Sequence, residues 1–305
     1  MRILWVSDAL AVDQPMGGAE VADTIAIETL RLAGHQVDHI YSKHVRNADM
    51  ICKDRLTTVI SNRCQLPWKI KEELANGAEW GDYRYFTMEH DFQYCLAQSA
   101  SIVHHYGCKC DCQEIKDLGS IMSQRPYSIT PSSMYKNAVA VICVSNMQKE
   151  IYKSTLGLNN VVSIGGSWWR PDDVHYMVSL RSTPKNDVAA IPCPGRLFKP
   201  EEPNSIKWCE EHGLAYEELP RLPFREFLAK LATYKKVVIM AAAYESFSRP
   251  AFEARMVGCE IILSDTVGAK WEQWHSDHSI DLLDVIENTR KTFMGILNEH
   301  ISDAK

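Results

Sequence analysis

Lys236-Val237-Val238-Ile239-Met240-Ala241-Ala242-Ala243-Tyr244-Glu245-Ser246-Phe247-Ser248-Arg249-Pro250-Ala251-Phe252-Glu253-Ala254 is the stretch whose reading decides the fold class. Its first half is a continuous apolar run with β-branched residues, which reads as a strand buried on both faces of a parallel sheet. Glu245 then falls just past the strand's carboxyl end, the edge at which open α/β sheets bind ligands. Ser248 is placed to cap the helix that follows, Pro250 suits a first turn whose N–H groups lack partners, and Glu253 falls about one turn in. A helix start offers amide donors and a partial positive charge, which suits a diphosphate. The two glutamates stand eight positions apart. They supply acceptors for sugar hydroxyls and for a ribose diol. The competing reading makes Glu245 a loop cap and Glu253 a solvated helix residue.

Outward from this stretch the same alternation repeats. Val188-Ala189-Ala190-Ile191 reads as a strand, followed by Gly195-Arg196-Leu197, a helix near Ser205 to Glu211, a strand at Leu214 to Glu218 and a helix at Phe224 to Tyr234. Beyond Glu253, Gly258 ends a helix, Glu260 to Leu263 is another strand, and Trp271 to Trp274 and Ser279 to Ile301 close the chain as helices. At the other end, Ile3 to Val6 is a strand, Ser7 to Gly18 a loop with the Gly17-Gly18 pair, Ala19 to Leu32 a helix ending near Gly34, and Val37 to Tyr41 a strand. That is a right-handed βαβ unit. Val139 to Val144, a helix capped by Ser145, and Asn160 to Ile164 extend the sheet, and Thr57, Val59 and Ile60 form a possible strand. Between residues 43 and 100 the rings of Trp68, Trp80, Tyr83, Tyr85 and Phe86 are scattered among charges and read mainly as core packing. Ser101 to His105 reads as a short strand ending in two histidines. Turn formers and charge between Ser167 and Asp187 read as a linker. The expected fold class is therefore α/β, with two Rossmann-like domains facing each other across a cleft. Their bounds are 1–166, a linker over 167–187, and 188–305, with the last helix packing back on the first domain.

The 305 residues, 46% of them apolar, suffice for two cores. A formal net charge of −6 excludes a protein whose whole surface is a nucleic-acid footprint. Ser7-Asp8 breaks the first apolar run too early for a signal peptide or membrane span, so a soluble cytoplasmic protein is expected. The cysteines then read as reduced thiols. Cys108, Cys110 and Cys112, near His104, His105 and Cys95, are spaced more tightly than a zinc knuckle and read as thiols in a loop.

Several separated motifs resemble the family 4 retaining glycosyltransferases, which have the GT-B fold. They are Gly17-Gly18-Ala19-Glu20 with Gly34-His35-Gln36-Val37, Ala138 to Ser145, Gly195-Arg196-Leu197, and Glu245 to Ala254 followed by Met256, Gly258 and Ile261-Ile262. The resemblance implies transfer of a sugar from a nucleoside diphosphate sugar, such as a UDP-sugar, to a hydroxyl acceptor, with retention of anomeric configuration. In the EX7E motif it assigns Glu245 to sugar hydroxyls, Glu253 to the ribose diol, and the amides of Ser246, Phe247 and Ser248 to the diphosphate. It assigns Arg196 and Lys199 to donor phosphates, although Lys199 follows Arg196 more closely than the family pattern has it. Gly17 and Gly18 fall in its glycine-rich loop, and His104 or His105 takes the place of a strand-end histidine touching the donor sugar. No cofactor and no metal are implied, since the leaving diphosphate meets Arg196 and helix amides. Gly165-Gly166 stands where the family has Pro-Asn-Gly, and the short spacing from Arg196 to Glu245 implies a trimmed second domain. The acceptor class ranges over saccharides, small molecules and modified DNA bases, without stable membrane insertion. A phage-type hydroxymethylpyrimidine glycosyltransferase would need a basic groove, with Lys69, Lys71, Arg84, Lys109 and Arg125 as candidates. The rival classes are a non-catalytic nucleotide-sugar binding module and a sugar-nucleotide epimerase.

Overall fold

A computed structural model describes residues 1–11, 18–52, 57–63, 65–94, 130–193 and 202–302. The chain divides into two compact units, one formed by Met1–Trp168 with Ile286–Lys305, the other by Trp169–Val285. The first carries a six-stranded parallel sheet of order β2-β1-β3-β4-β5-β6. Its strands are β1 (Arg2–Ser7), β2 (Gln36–Tyr41), β3 (Thr57–Ile60), β4 (Tyr85–Glu89), β5 (Val141–Cys143) and β6 (Val161–Ser163). Its helices are α1 (Gly18–Leu32), α2 (Asp49–Cys52), α3 (Trp68–Glu79), α4 (Ser132–Lys136) and α5 (Asn146–Leu156). Trp5 on β1 lies opposite His39 on β2 and Val59 on β3, which sets the register of the sheet's centre.

The local signals act as the sequence implies. After α1, Gly34 takes φ +85°, and His35 N–H returns to Leu30 O at 3.1 Å, so the helix ends in a left-handed turn. Ser145 Oγ accepts from Gln148 N–H at 3.1 Å at the start of α5. Gly165 adopts φ +63°, and a Cβ on Gly166 would lie 2.3 Å from Thr289 Oγ1, so this pair serves a tight turn and a close approach.

In this unit α2 and α4 went unread in the sequence, and β4 and α3 depart from it most. β4 and α3 both fall where only scattered rings were legible. Every residue of β4 is buried, including its last, Glu89, so a buried acid disguises the strand's end. In α3 the apolar face of Ile70, Leu74 and Ala75 is short and is joined by a fully buried lysine, Lys71. That burial removes Lys71 from any solvent-facing basic groove; Lys69, on the same helix, is exposed. Lys109 and Arg125 lie outside the described residues.

The second unit has a four-stranded parallel sheet, order β10-β9-β7-β8, against six strands in the first. It comprises α6 (Pro171–Ser179), β7 (Asn186–Pro192), α7 (Glu202–Glu211), β8 (Tyr216–Leu219), α8 (Phe224–Leu231), β9 (Tyr234–Ile239), α9 (Arg249–Met256), β10 (Glu260–Leu263) and α10 (Gln273–Ser276). Ala189, Ile191, Cys209 and Val238 form the centre of one core cluster. Helix α6 occupies part of 167–187, the stretch read as linker. Pro171 in its first turn and the acids Asp172 and Asp173 beside it are helix-start signals as well as turn formers, which explains the difference. The last helix, α11 (Leu282–Ser302), crosses from one unit to the other. Within the first unit its Phe293 is fully buried, meeting Trp168 edge-on at 5.3 Å and Trp5 at 6.0 Å. Among the described residues no helix is long and apolar enough to cross a membrane.

Candidate active site

In the second unit the chain leaves β9 at Ile239 and reaches Glu245 in a turn bound to the segment after β10. Glu245 N–H donates to Thr266 O at 2.9 Å, Gly268 N–H to Glu245 O at 2.8 Å, and Ala269 N–H to Phe247 O at 2.9 Å. An isolated parallel bridge pairs Glu245 with Val267. Glu245 itself is half-buried, whereas Ser246, Phe247 and Ser248 are buried. The Phe247 ring lies 6.4 Å from that of Trp169, 6.2 Å from Phe252 and 6.3 Å from Trp274. Its side chain therefore belongs to an aromatic core, leaving the backbone for any ligand.

Ser248 sits at φ 72° and ψ 85°, the one non-glycine residue with positive φ among the described residues. It stands at the N-cap of α9, but its side chain makes no capping bond, contrary to expectation. A capping hydroxyl needs an extended backbone at that position, and the left-handed conformation takes Ser248 Oγ away from the first-turn amides. Such a conformation costs on the order of 1–3 kcal/mol and persists where the surroundings enforce it. Here the bonds to Thr266, Gly268 and Ala269 hold the turn on one side, and Pro250, within the helix's first two positions, fixes the backbone on the other.

Glu253 is buried one turn into α9 rather than solvated. Trp169 Nε1–H donates to Glu253 Oε1 at 3.0 Å, and Arg249 Nε approaches the same oxygen at 3.4 Å. The Arg249 guanidinium lies 4.8 Å from the centre of the Trp169 ring, and that ring stacks on Phe252 at 4.4 Å and 20°. Burial raises the Glu253 pKa, and the Arg249 charge and the Trp169 bond oppose it without cancelling it.

The first unit gathers polar groups beyond the carboxyl ends of β3 and β4. His90, directly after β4, donates from Nε2 to Asp23 Oδ1 at 2.9 Å, and Ser61 Oγ–H donates to that oxygen at 2.7 Å. Burial lowers the His90 pKa, but the charge and hydrogen bond of Asp23, aided by Asp91 and Glu20, outweigh it and the net shift is upward. Burial raises Glu20, which accepts from Asn62 Nδ2 at 3.0 Å. Asn62 in turn accepts from Gln93 Nε2 at 3.0 Å. Beside this group Arg63 and Glu89 form a fully buried ion pair at 2.6 Å, and Tyr152 OH donates to Glu89 Oε2 at 2.6 Å. Gly18 opens α1, the helix carrying Glu20 and Asp23.

The structure thus brings Glu245, Ser246, Phe247, Ser248 and Glu253 into one turn and helix. Gly17, His104, His105, Arg196, Lys199 and the Cys108, Cys110 and Cys112 cluster lie outside the described residues. Sequence reasoning missed His90, Asp23, Arg63 and Trp169. A strand ending in Glu89-His90 was the available signal for the first, hidden because β4 itself went unread. Among the described residues no group of three His, Cys, Asp or Glu side chains could hold a metal ion.

No protein-family model matches the chain, and no curated protein sequence matches it. Solved structures do. The α,α-trehalose 6-phosphate synthase of Burkholderia multivorans aligns over all of both chains, with a TM-score of 0.57 and 9% identity. That likeness shows the fold: two parallel-sheet Rossmann-like units of the GT-B type. The sucrose-phosphate synthase of Thermosynechococcus elongatus also aligns over all of both chains, at 0.49 and 13%. An α-glucosyltransferase solved with UDP and a 13-mer DNA containing an HMU base aligns over 98% of this chain and 95% of its own, at 0.44 and 10%.

Proposed function

We propose that this chain is a glycosyltransferase that moves a sugar from a nucleoside diphosphate sugar to a hydroxyl acceptor with retention of configuration. The observation that carries the reading is the enforced left-handed Ser248 turn between Glu245 and the helix bearing Glu253. Backbone strain held in place by its surroundings concentrates at ligand sites, and this turn lies between the two acids that the EX7E resemblance assigns to a sugar nucleotide. Glu245 takes sugar hydroxyls, Glu253 the ribose diol, and the amides from Ser246 to Ser248 with the α9 dipole take the diphosphate. As the bond to the sugar breaks, charge grows on the diphosphate, where preorganised amides and Arg196 stabilise it without a metal. The leaving phosphate accepts the acceptor's proton, so no protein base is assigned. The strand-end histidine role stays with His104 or His105, which lie outside the described residues.

A thermal-shift screen of nucleoside diphosphate sugars names base and sugar together, because a ligand at about 100 times its Kd stabilises the native state by about 2.7 kcal/mol. With the selected donor, Glu245→Ala abolishes transfer while the unfolding temperature of the free protein stays unchanged. Undiminished transfer by that variant would reject the donor-site assignment, and an inverted product by NMR would reject retention.

A further inference from the structure

The proposed function leaves open why a carboxylate meant for a ribose diol is buried against an indole and a guanidinium. This inference deepens that reading and rests on it. A carboxylate oxygen accepts about two hydrogen bonds. Trp169 Nε1–H at 3.0 Å and Arg249 Nε at 3.4 Å converge on the same oxygen of Glu253, Oε1. Trp169 is itself clamped, its ring stacked on Phe252 at 4.4 Å on the helix that carries Glu253, with Arg249 over its face at 4.8 Å. The three side chains therefore close a triangle in which each fixes the other two.

We propose that Trp169 and Arg249 are positioning residues for the donor site, holding the Glu253 carboxylate through Oε1 in the orientation that meets the ribose hydroxyls. Trp169 lies far from α9 in sequence, and its indole supplies what a phenylalanine ring cannot, a single N–H donor at the edge of a stacked plane. A neutral donor also lowers the cost of keeping Glu253 ionised while buried, without adding a second cation that would compete for the diphosphate.

The test is calorimetry of UDP, GDP and ADP against the full chain, carrying the tightest binder into a pH series with W169F and E253Q. W169F keeps the stacked ring and loses the N–H. It should weaken nucleotide binding by roughly tenfold near neutrality, the loss expected for one hydrogen bond to a charged group. Because Glu253 then protonates more readily, the acid-side loss of binding should move to higher pH, and raising the pH should restore much of the affinity. In transfer assays donor KM should rise with kcat nearly constant, and W169F should add little to E253Q. Weakened binding by E253Q with W169F matching wild type at every pH would overturn the positioning role and leave the donor site standing. Unchanged binding by E253Q would remove the donor assignment and this inference with it. Should W169F fail to fold, Arg249→Gln removes the other partner of Oε1 and must shift the same pH profile upward; an unmoved profile overturns the proposal.

Discussion

The carboxyl edge of the first unit's sheet is built from buried charge, that of the second from packed aromatic rings. In the first, Arg63, Glu89, His90 and Asp23 are all buried and answer one another through 2.6–2.9 Å contacts. In the second, Trp169, Phe247, Phe252 and Trp274 pack against one another, and Trp169 meets the ion pair of Arg249 with Glu253. The two constructions fail differently. A charge network holds its geometry only while every member is present, since a lone buried charge keeps its desolvation penalty and loses its compensation. A ring cluster loses contacts one at a time. The first edge should therefore be brittle towards single substitutions and the second graded.

The sharpest test is Arg63→Met. It leaves Glu89 buried with only tyrosine donors and should destabilise the protein by about 3–5 kcal/mol in denaturant titrations. Adding Glu89→Met should return much of that loss. An R63M cost below about 1 kcal/mol would erase the contrast between the edges. Next in size is Asp23→Asn, expected to cost about 1.5–3 kcal/mol at low pH through the lost charge-assisted bond to His90. The folded His90 pKa lies above its ordinary 6.5, so the pair's contribution is complete below that value and disappears as pH rises through the raised folded midpoint. The penalty of D23N should shrink over the same interval, and NMR titration should find the His90 midpoint displaced downward. A constant penalty across pH would mean that the pair carries no proton-linked stability. The smallest effect belongs to Ser248→Gly, which should stabilise by about 1 kcal/mol, because glycine enters the left-handed region without a Cβ clash. No gain in the denaturant midpoint would show that the turn is relaxed rather than held.

Legibility in the sequence followed burial pattern. β7 and β9 could be read because parallel strands covered on both faces need continuous apolar runs, and Ala189-Ala190-Ile191 and Val237-Val238-Ile239 supply them. β4 could not, because Tyr85-Phe86-Thr87-Met88-Glu89 buries its polar residues too, and Glu89 is met there by Arg63 and Tyr152 from distant segments. Arg63 and Glu89 are 26 positions apart, and Asp23 and His90 are 67 apart. No local periodicity reports such pairs. The eight-residue spacing of Glu245 and Glu253 was legible, and so were the strand before it and the helix after it. The bond to Trp169, 84 positions upstream, was not.

Alternating apolar runs and helix-start residues determine, from the sequence alone, a two-unit α/β chain with an acid on either side of a turn after β9, since hydrophobic burial and backbone geometry act over a few residues. Whether a given Glu, Asp, His or Lys faces water or another buried charge was decided only by tertiary structure. The cost of burying Arg63, Glu89, Asp23 and His90 is met by partners that the chain brings from far away, and such pairing leaves no mark on the residues next door.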